Sequence, residues 1–397
     1  MHHGLHESTG RQIDMTNVTI GVPVERAADE YRVALVPTIV ESLVGDGFRV
    51  LVEGGAGVAA GYSDEAYREA GAELVGDAAA AHAGATLIAR VSPPAADEVA
   101  SLTAAHTVIS LLDPLGDVAR TQRLAETGAT LFAFEFMPRT TRAQAMDALS
   151  SQATVAGYHG VLLAADRAPR LFPLLMTAAG TVKARSVLVL GAGVAGLQAI
   201  ATARRLGAVV TAFDVRAAVK EQVESLGARF LAIDVAGEEQ AGGYATGLDE
   251  AQHRLEQEAL ARACADADIV ICTAQIPGAR APELITEAAV RSMRRGSVIV
   301  DLAASTGGNC ACTVSGEEVD IDGVLVLGPS NPAAAIPGTA SDLYATNVRA
   351  FVRLIAPGAE LAPDWDDEIV AGALIARGGA VVASRVAERL AGTGGTT

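Results

Sequence analysis

From Thr19 onward, short apolar runs alternate with stretches whose apolar positions recur at helical spacing. Val18–Val22, Arg49–Glu53, Thr86–Val91, Thr107–Leu112 and Thr130–Phe134 read as strands, with helical spacing over Val36–Val44 and Asp64–Ala70. A long helical stretch follows, about Ala145–Ala165. A second series then predicts strands at Val187–Leu190, Val209–Asp214, Ile269–Cys272, Val298–Asp301 and Val324–Leu327. After Pro337 a helical pattern over Ser341–Ile355 is expected to return to the first unit. Glu368–Ile375 and Ala380–Val382 read as a hairpin turned at Gly378-Gly379. Buried apolar runs separated by helices predict α/β units with parallel sheets covered on both faces. The expected partition is a disordered leader (1–16), a first domain (17–150, completed by 340–385), a second (151–339) and a flexible tail (386–397).

Half of the 397 residues are apolar, which gives ample material for two cores. Thirty Lys+Arg against 47 Asp+Glu leave a net charge of −17, which argues against nucleic acid or an anionic membrane surface as partner. Cys264, Cys272, Cys310 and Cys312 lack the spacing of a zinc site and read as reduced cytosolic thiols. His82, His106, His159 and His253 show no metal spacing, so no metal is expected. The longest apolar candidate, Ile369–Ala376, stops at Arg377, well short of a membrane span.

The sharpest local signal is Val187-Leu-Val-Leu-Gly191-Ala-Gly193-Val-Ala-Gly196. A lone GxGxxG is weak. Here it closes a strand, opens a helix and precedes a second strand ending in Asp214, 23 residues after Gly191. That context is a dinucleotide fingerprint. Gly191 suits the tight turn, Gly193 a close approach of backbone to pyrophosphate, and Gly196 close helix–strand packing. Asp214 suits the adenosine ribose hydroxyls and favours NAD over NADP, although the nearby Arg216 is suited to a 2′-phosphate.

Two loops follow strands where α/β proteins place active groups, and a third candidate lies in an insertion. Met137–Gln152 carries Arg139, Arg142, Gln144, Asp147 and Ser150. Its plain alternative is a helix start, with Thr141-x-x-Gln144 as a capping box. Thr273-Ala-Gln275 follows the strand Ile269–Cys272, and Gly242-Gly243-Tyr244 falls in a polar insertion that reads as a lid or a solvated loop. No nucleophile elbow, Walker loop or Ser/His/Asp set emerges, and hydride transfer between nicotinamides needs none.

With these residues in view, the chain from about Thr19 to Val382 resembles the NAD(H)-binding component of proton-translocating NAD(P) transhydrogenases. The resemblance rests on Gly21-x-Pro-x-Glu25, Tyr31-Arg32-Val33-Ala34, Val52-Glu53-x-Gly-Ala-Gly57 and Pro138-Arg139…Arg142-Ala-Gln144-x-Met-Asp147-Ala-Leu-Ser-Ser. It continues through Gly191–Gly196, Phe213-Asp214-Val-Arg216, Gly243-Tyr244-Ala245 and Val300-Asp301-Leu-Ala…Gly307-Gly308-Asn309-Cys310. It implies an α/β fold of two Rossmann-like domains flanking a cleft, joined by long helices, and a homodimer. It places Arg139, Gln144, Asp147 and Ser150 at the nicotinamide end, with Gln144 also approaching the partner that bears NADP(H). Val194, Asp214, Val215, Arg216 and Gln275 would surround pyrophosphate and adenosine, and Tyr244 would ride on a loop closing over NAD(H). The resemblance implies partner subunits that bind NADP(H) and span the membrane, which would hold this chain at the cytoplasmic face.

The competing resemblance is to alanine dehydrogenases, which share the fold and the Arg32-Val-Ala pattern. Their chemistry needs a proton donor and a cationic grip on a keto acid. Their catalytic His aligns near Leu112-Asp113, and Ser305 replaces their Asp. Arg90 departs from the Lys usual in both groups and is assigned no role. A third reading is an NAD(H)-binding regulatory module without turnover.

Overall fold

The structure, a computed structural model, describes residues 18–233, 250–276 and 278–393. The expected leader, Gly243 and Tyr244 lie outside the described residues. The chain opens with β1 (Thr19–Val22), α1 (Pro37–Gly45), β2 (Arg49–Glu53), α2 (Asp64–Glu69), β3 (Glu73–Val75), α3 (Ala78–Ala83) and β4 (Leu87–Ala89). Next come β5 (Thr107–Ser110), α4 (Val118–Glu126) and β6 (Thr130–Ala133). The long α5 (Ala148–Arg167) leads to an exposed hairpin, β7 (Leu175–Thr177) and β8 (Gly180–Val182).

The second series is β9 (Ser186–Leu190), α6 (Val194–Arg205), β10 (Val209–Phe213), α7 (Lys220–Ser225), β11 (Arg229–Phe230) and α8 (Glu250–Asp266). It continues with β12 (Ile269–Cys272), α9 (Glu287–Ser292), β13 (Val298–Asp301), β14 (Glu318–Ile321) and β15 (Val324–Leu327). The chain returns through α10 (Pro337–Ile355), α11 (Glu368–Ala373), β16 (Leu374–Arg377), β17 (Ala380–Val381) and α12 (Ser384–Thr393).

These strands form an eight-stranded sheet in the order β17-β16-β6-β5-β4-β1-β2-β3 and a seven-stranded sheet in the order β11-β10-β9-β12-β13-β15-β14. β1 to β6 pair in parallel, as do β9 to β13 and β15. β14, β16 and β17 pair antiparallel at the edges. Fully buried strands such as Leu87–Ala89 and Ile269–Cys272 explain why the sequence shows unbroken apolar runs there. The strand order reverses between β1 and β4 and between β9 and β12, so each sheet opens a crevice at the C-terminal ends of those strands.

Two expectations change. Glu368–Ala373 is helical, started by Asp367 Oδ1 accepting from the Ile369 N–H, and only Leu374 onward is strand. An apolar run of this length fits either element, and the N-cap decides it. Of the tail expected to be flexible, residues 386–393 lie in α12, which is seated by the fully buried Val386, and 394–397 lie outside the described residues.

Candidate functional site

The C-terminal ends of the two sheets face each other. After β15, Ser330 Oγ donates to Asp29 Oδ2 (2.9 Å) and Asn331 Nδ2 to Glu30 Oε2 (3.2 Å), both in the loop after β1. After β12, Gly278 abuts Leu115 in the turn after β5. From the end of β6, α5 runs across to the second sheet, where a Cβ at Gly157 would collide with the Ala195 carbonyl in the first turn of α6. A cleft therefore lies between the two crevices.

On one wall stands the turn Gly191–Gly196. Gly191 has φ +95°, which a side chain rarely tolerates. A Cβ on Gly196 would meet the Gly191 carbonyl, so helix and turn pack without space for one. Around Gly193 nothing lies within 4 Å of the Cβ position, which leaves room for a ligand against the backbone. No side chain caps α6, so its first N–H groups are available to an anion. Thr273 Oγ1 donates to the carbonyls of Leu190 and Gly191 (both 3.1 Å) and fixes the floor.

Asp214 follows β10. Its carboxylate accepts from Ala192 N–H (2.7 Å), Arg216 N–H (2.9 Å) and the Arg216 guanidinium through Nε and Nη2 (both 2.9 Å). Burial alone would raise its pKa, but Arg216 and the two N–H groups outweigh that and hold it below the ordinary value. Val194 and Val215, 42% and 46% exposed, present apolar surface beside it. Gln275 is exposed, with its Nε2 donating to the Leu302 carbonyl (3.1 Å). The turn and Asp214 are thus brought together as the fingerprint requires.

The opposite wall carries the loop after β6, where Arg139 and Gln144 are exposed. The capping-box alternative does not form: Thr141–Met146 is a 3₁₀ turn without a side-chain cap. Asp147 is instead the N-cap of α5, accepting from the Ser150 N–H (2.9 Å) and hydroxyl (2.5 Å). Both residues are partly exposed. Arg142 forms an ion pair with Asp367, tying the loop to α11. Seven residues of α5 separate Ser150 from Gly157, a span of about 10 Å. The helix thus acts as a rigid spacer between this loop and the first turn of α6.

A buried ionic network beneath the first crevice was not read from the sequence as a site. Arg90 is 1% exposed, donates to Glu98 Oε2 (2.7 Å) and lies 3.5 Å from Glu25. Glu25 also accepts from the N–H groups of Val91 (2.6 Å) and Ser92 (3.2 Å). Burial pushes its carboxyl up to about 7, against Arg90 and these donors. Arg32 grips Glu30 through Nε (2.7 Å) and Nη2 (2.6 Å) and donates to Gln152 Oε1 (2.8 Å). The sequence signals were Arg90, which stands where a Lys is usual, and Glu25 and Arg32 within the motifs of the resemblance.

The Val300-Asp301…Asn309-Cys310 motif also has a structural reason. Fully buried Asp301 accepts from Ala303, Asn309 and Cys310 N–H and from Thr313 Oγ1, which locks the loop after β13. Asn309 in turn bridges Ala274 and Pro282. Among the described residues no group of His, Cys, Asp and Glu is arranged to hold a metal. No described helix is long and apolar enough to cross a membrane.

Residues 21–156 match the model for the alanine dehydrogenase/PNT N-terminal domain, and 160–384 that for the alanine dehydrogenase/PNT C-terminal domain. The chain is 44% identical over 373 residues to an NAD(P) transhydrogenase alpha-subunit chain of Rhodospirillum rubrum, covering 91% of this chain and 97% of that protein. It is 33% identical to alanine dehydrogenase of Halomonas elongata, covering 89% and 92%. The solved transhydrogenase structure from Sinorhizobium meliloti superposes with a TM-score of 0.84 at 43% identity, covering 92% of this chain and all of that one. On these matches, and on its two facing Rossmann-like units, the chain belongs to the alanine dehydrogenase/PNT family, alongside the NAD(P) transhydrogenase alpha subunits.

Proposed function

We propose that this chain binds NAD(H) in the cleft and passes hydride directly between NADH and NADP⁺ held by a partner subunit, with proton translocation across a membrane coupled to that exchange. The observation carrying the reading is the pairing, across one α5 spacer, of an uncapped α6 with Gly193 open beside it and an exposed Arg139–Gln144 loop. The first wall suits a pyrophosphate: free N–H groups, space at the backbone and the helix dipole. Val194 and Val215 would flank the adenine, and Asp214 would meet the ribose once Arg216 yields.

Bound NAD(H) supplies the hydride, and the balanced exchange NADH + NADP⁺ → NAD⁺ + NADPH releases no proton within the cleft. The chain's residues therefore position and exclude water rather than relay protons. Asp147 and Ser150 hold the start of α5, while exposed Gln144 and Arg139 are placed to touch the nicotinamide and the incoming partner. Tyr244 and Gly243 are proposed to close over the cofactor. A homodimer docked through its partners on the cytoplasmic face completes the reading.

Alanine dehydrogenase chemistry is the weaker reading, because no His stands around Leu112-Asp113 and Ser305 stands where that reaction needs an Asp. Fluorescence titration with NADH and NADPH, followed by a pyruvate-plus-ammonia assay, tests the choice. NADH binding without NADPH binding or alanine formation supports the proposal; alanine formation overturns it.

A further inference from the structure

The turn after β5 is held from one side and touches the opposite domain with the other. Glu135 follows β6, and its carboxylate accepts from the N–H groups of Asp113 (2.6 Å) and Leu112 (3.2 Å). Arg120 Nη2 closes the turn by donating to the Leu112 carbonyl (3.1 Å). Asp113 takes a left-handed conformation (φ 47°) that Asp tolerates better than most residues, and its Oδ1 accepts from Gly116 N–H (3.2 Å). The turn thereby presents buried Leu115 to Gly278. Gly278 has φ +71° and no room for a Cβ against Leu115. Three residues earlier is Gln275. α12 makes a second contact at the same point, with Arg389 Nη1 donating to the Gly278 carbonyl (2.9 Å).

We propose that Glu135 is a positioning residue for the cofactor: by pinning the Leu112–Gly116 turn it sets the Leu115–Gly278 contact, and through it the position of Gln275 beside the nucleotide. The proposal rests on the nucleotide-site reading above. An ionised carboxylate satisfies both N–H donors, whereas a protonated one serves them poorly. Burial pushes Glu135 up to about 7 against backbone N–H donors, so the pin changes state near neutrality. The titratable groups facing it are Asp113, which raises it further, and Tyr344 of α10. Arg120, Asp117 and Arg389 act on Asp113. The Leu115–Gly278 contact, and NADH affinity with it, should weaken as pH falls through about 7.

The test uses the full chain, hydrogen–deuterium exchange and NADH titration. In Glu135→Gln, exchange should rise in peptides covering both 110–117 and 273–281, with the rest of the chain unchanged. In Leu115→Ala, it should rise in 273–281 while 110–114 stays protected. NADH affinity of the parent chain should fall roughly fivefold from pH 8 to pH 6, the scale of one weakened hydrogen bond, and should be flat in Glu135→Gln. Exchange rising only in 110–117 for Glu135→Gln, an unchanged 273–281 in Leu115→Ala, or equal pH slopes would each overturn the proposal. A parent chain that binds no NADH at any pH strikes the nucleotide-site reading instead, and the exchange results still decide whether turn and loop are coupled.

Discussion

Asp214 and Arg216 hold each other in a two-point ion pair, Nε to Oδ1 and Nη2 to Oδ2, both at 2.9 Å, at the end of the strand that follows the Gly191 turn. The arginine best placed for a 2′-phosphate is thereby occupied by the carboxylate that favours a ribose diol. Asp214→Ala should weaken NADH binding by about 1–3 kcal/mol, or about 5- to 150-fold, and raise NADPH affinity by removing the carboxylate that would repel a 2′-phosphate. Paired fluorescence titrations read both changes. If NADH affinity holds in the variant, the adenosine end lies elsewhere.

Asp147 caps α5 through the Ser150 N–H as well as its hydroxyl. Asp147→Ala should therefore cost about 1 kcal/mol of stability, and Ser150→Ala less, because the backbone bond survives. Urea denaturation followed by circular dichroism measures the difference. Equal losses would mean that the hydroxyl bond, not the cap, carries the stability.

Gln144 is exposed and outside both the cap and the Arg142–Asp367 ion pair. Gln144→Asn shortens its reach by one methylene without touching the dinucleotide wall. NADH affinity should stay within about twofold, while hydride transfer to a partner's NADP⁺ slows at least tenfold by stopped-flow. Unchanged transfer would remove the role assigned to it.

Glu25 carries a pH signature. Its folded pKa is raised to about 7 from an ordinary 4.5, so the stability it contributes is complete below about 4.5 and is lost as pH rises through 7. Glu25→Gln removes that loss, and Arg90 keeps its 2.7 Å bond to Glu98. Relative to the parent, the variant should gain up to about 3 kcal/mol between pH 5 and pH 8. Denaturation series at the two pH values check the sign; a variant that falls as steeply as the parent would contradict it.

The sequence made the α/β alternation and the fingerprint legible because buried parallel strands leave unbroken apolar runs and the Gly191–Asp214 spacing is dictated by backbone geometry. It did not show β3, at most partly buried, the exposed hairpin β7–β8 or the Ala-rich α3, since none prints a clear apolar stripe. It marked Asp147 and Ser150 as chemistry on the strength of a resemblance, and the structure adds their bond to each other. The Glu25–Arg90–Glu98 network stayed hidden because its members lie up to 73 residues apart and meet only where β1 and β4 pair. The Glu135–Leu115–Gly278 relay was equally out of reach, because it links two sheets.

The most direct test of the account is reconstitution. The purified chain is mixed with an NADP(H)-binding transhydrogenase partner, and the loss of NADH is followed against the gain of NADPH, with each component alone as control. Stoichiometric transfer is expected only in the mixture, abolished or severely slowed by Gln144→Asn. NADH oxidation by this chain alone with pyruvate and ammonia, or a mixture no faster than its parts, would contradict it.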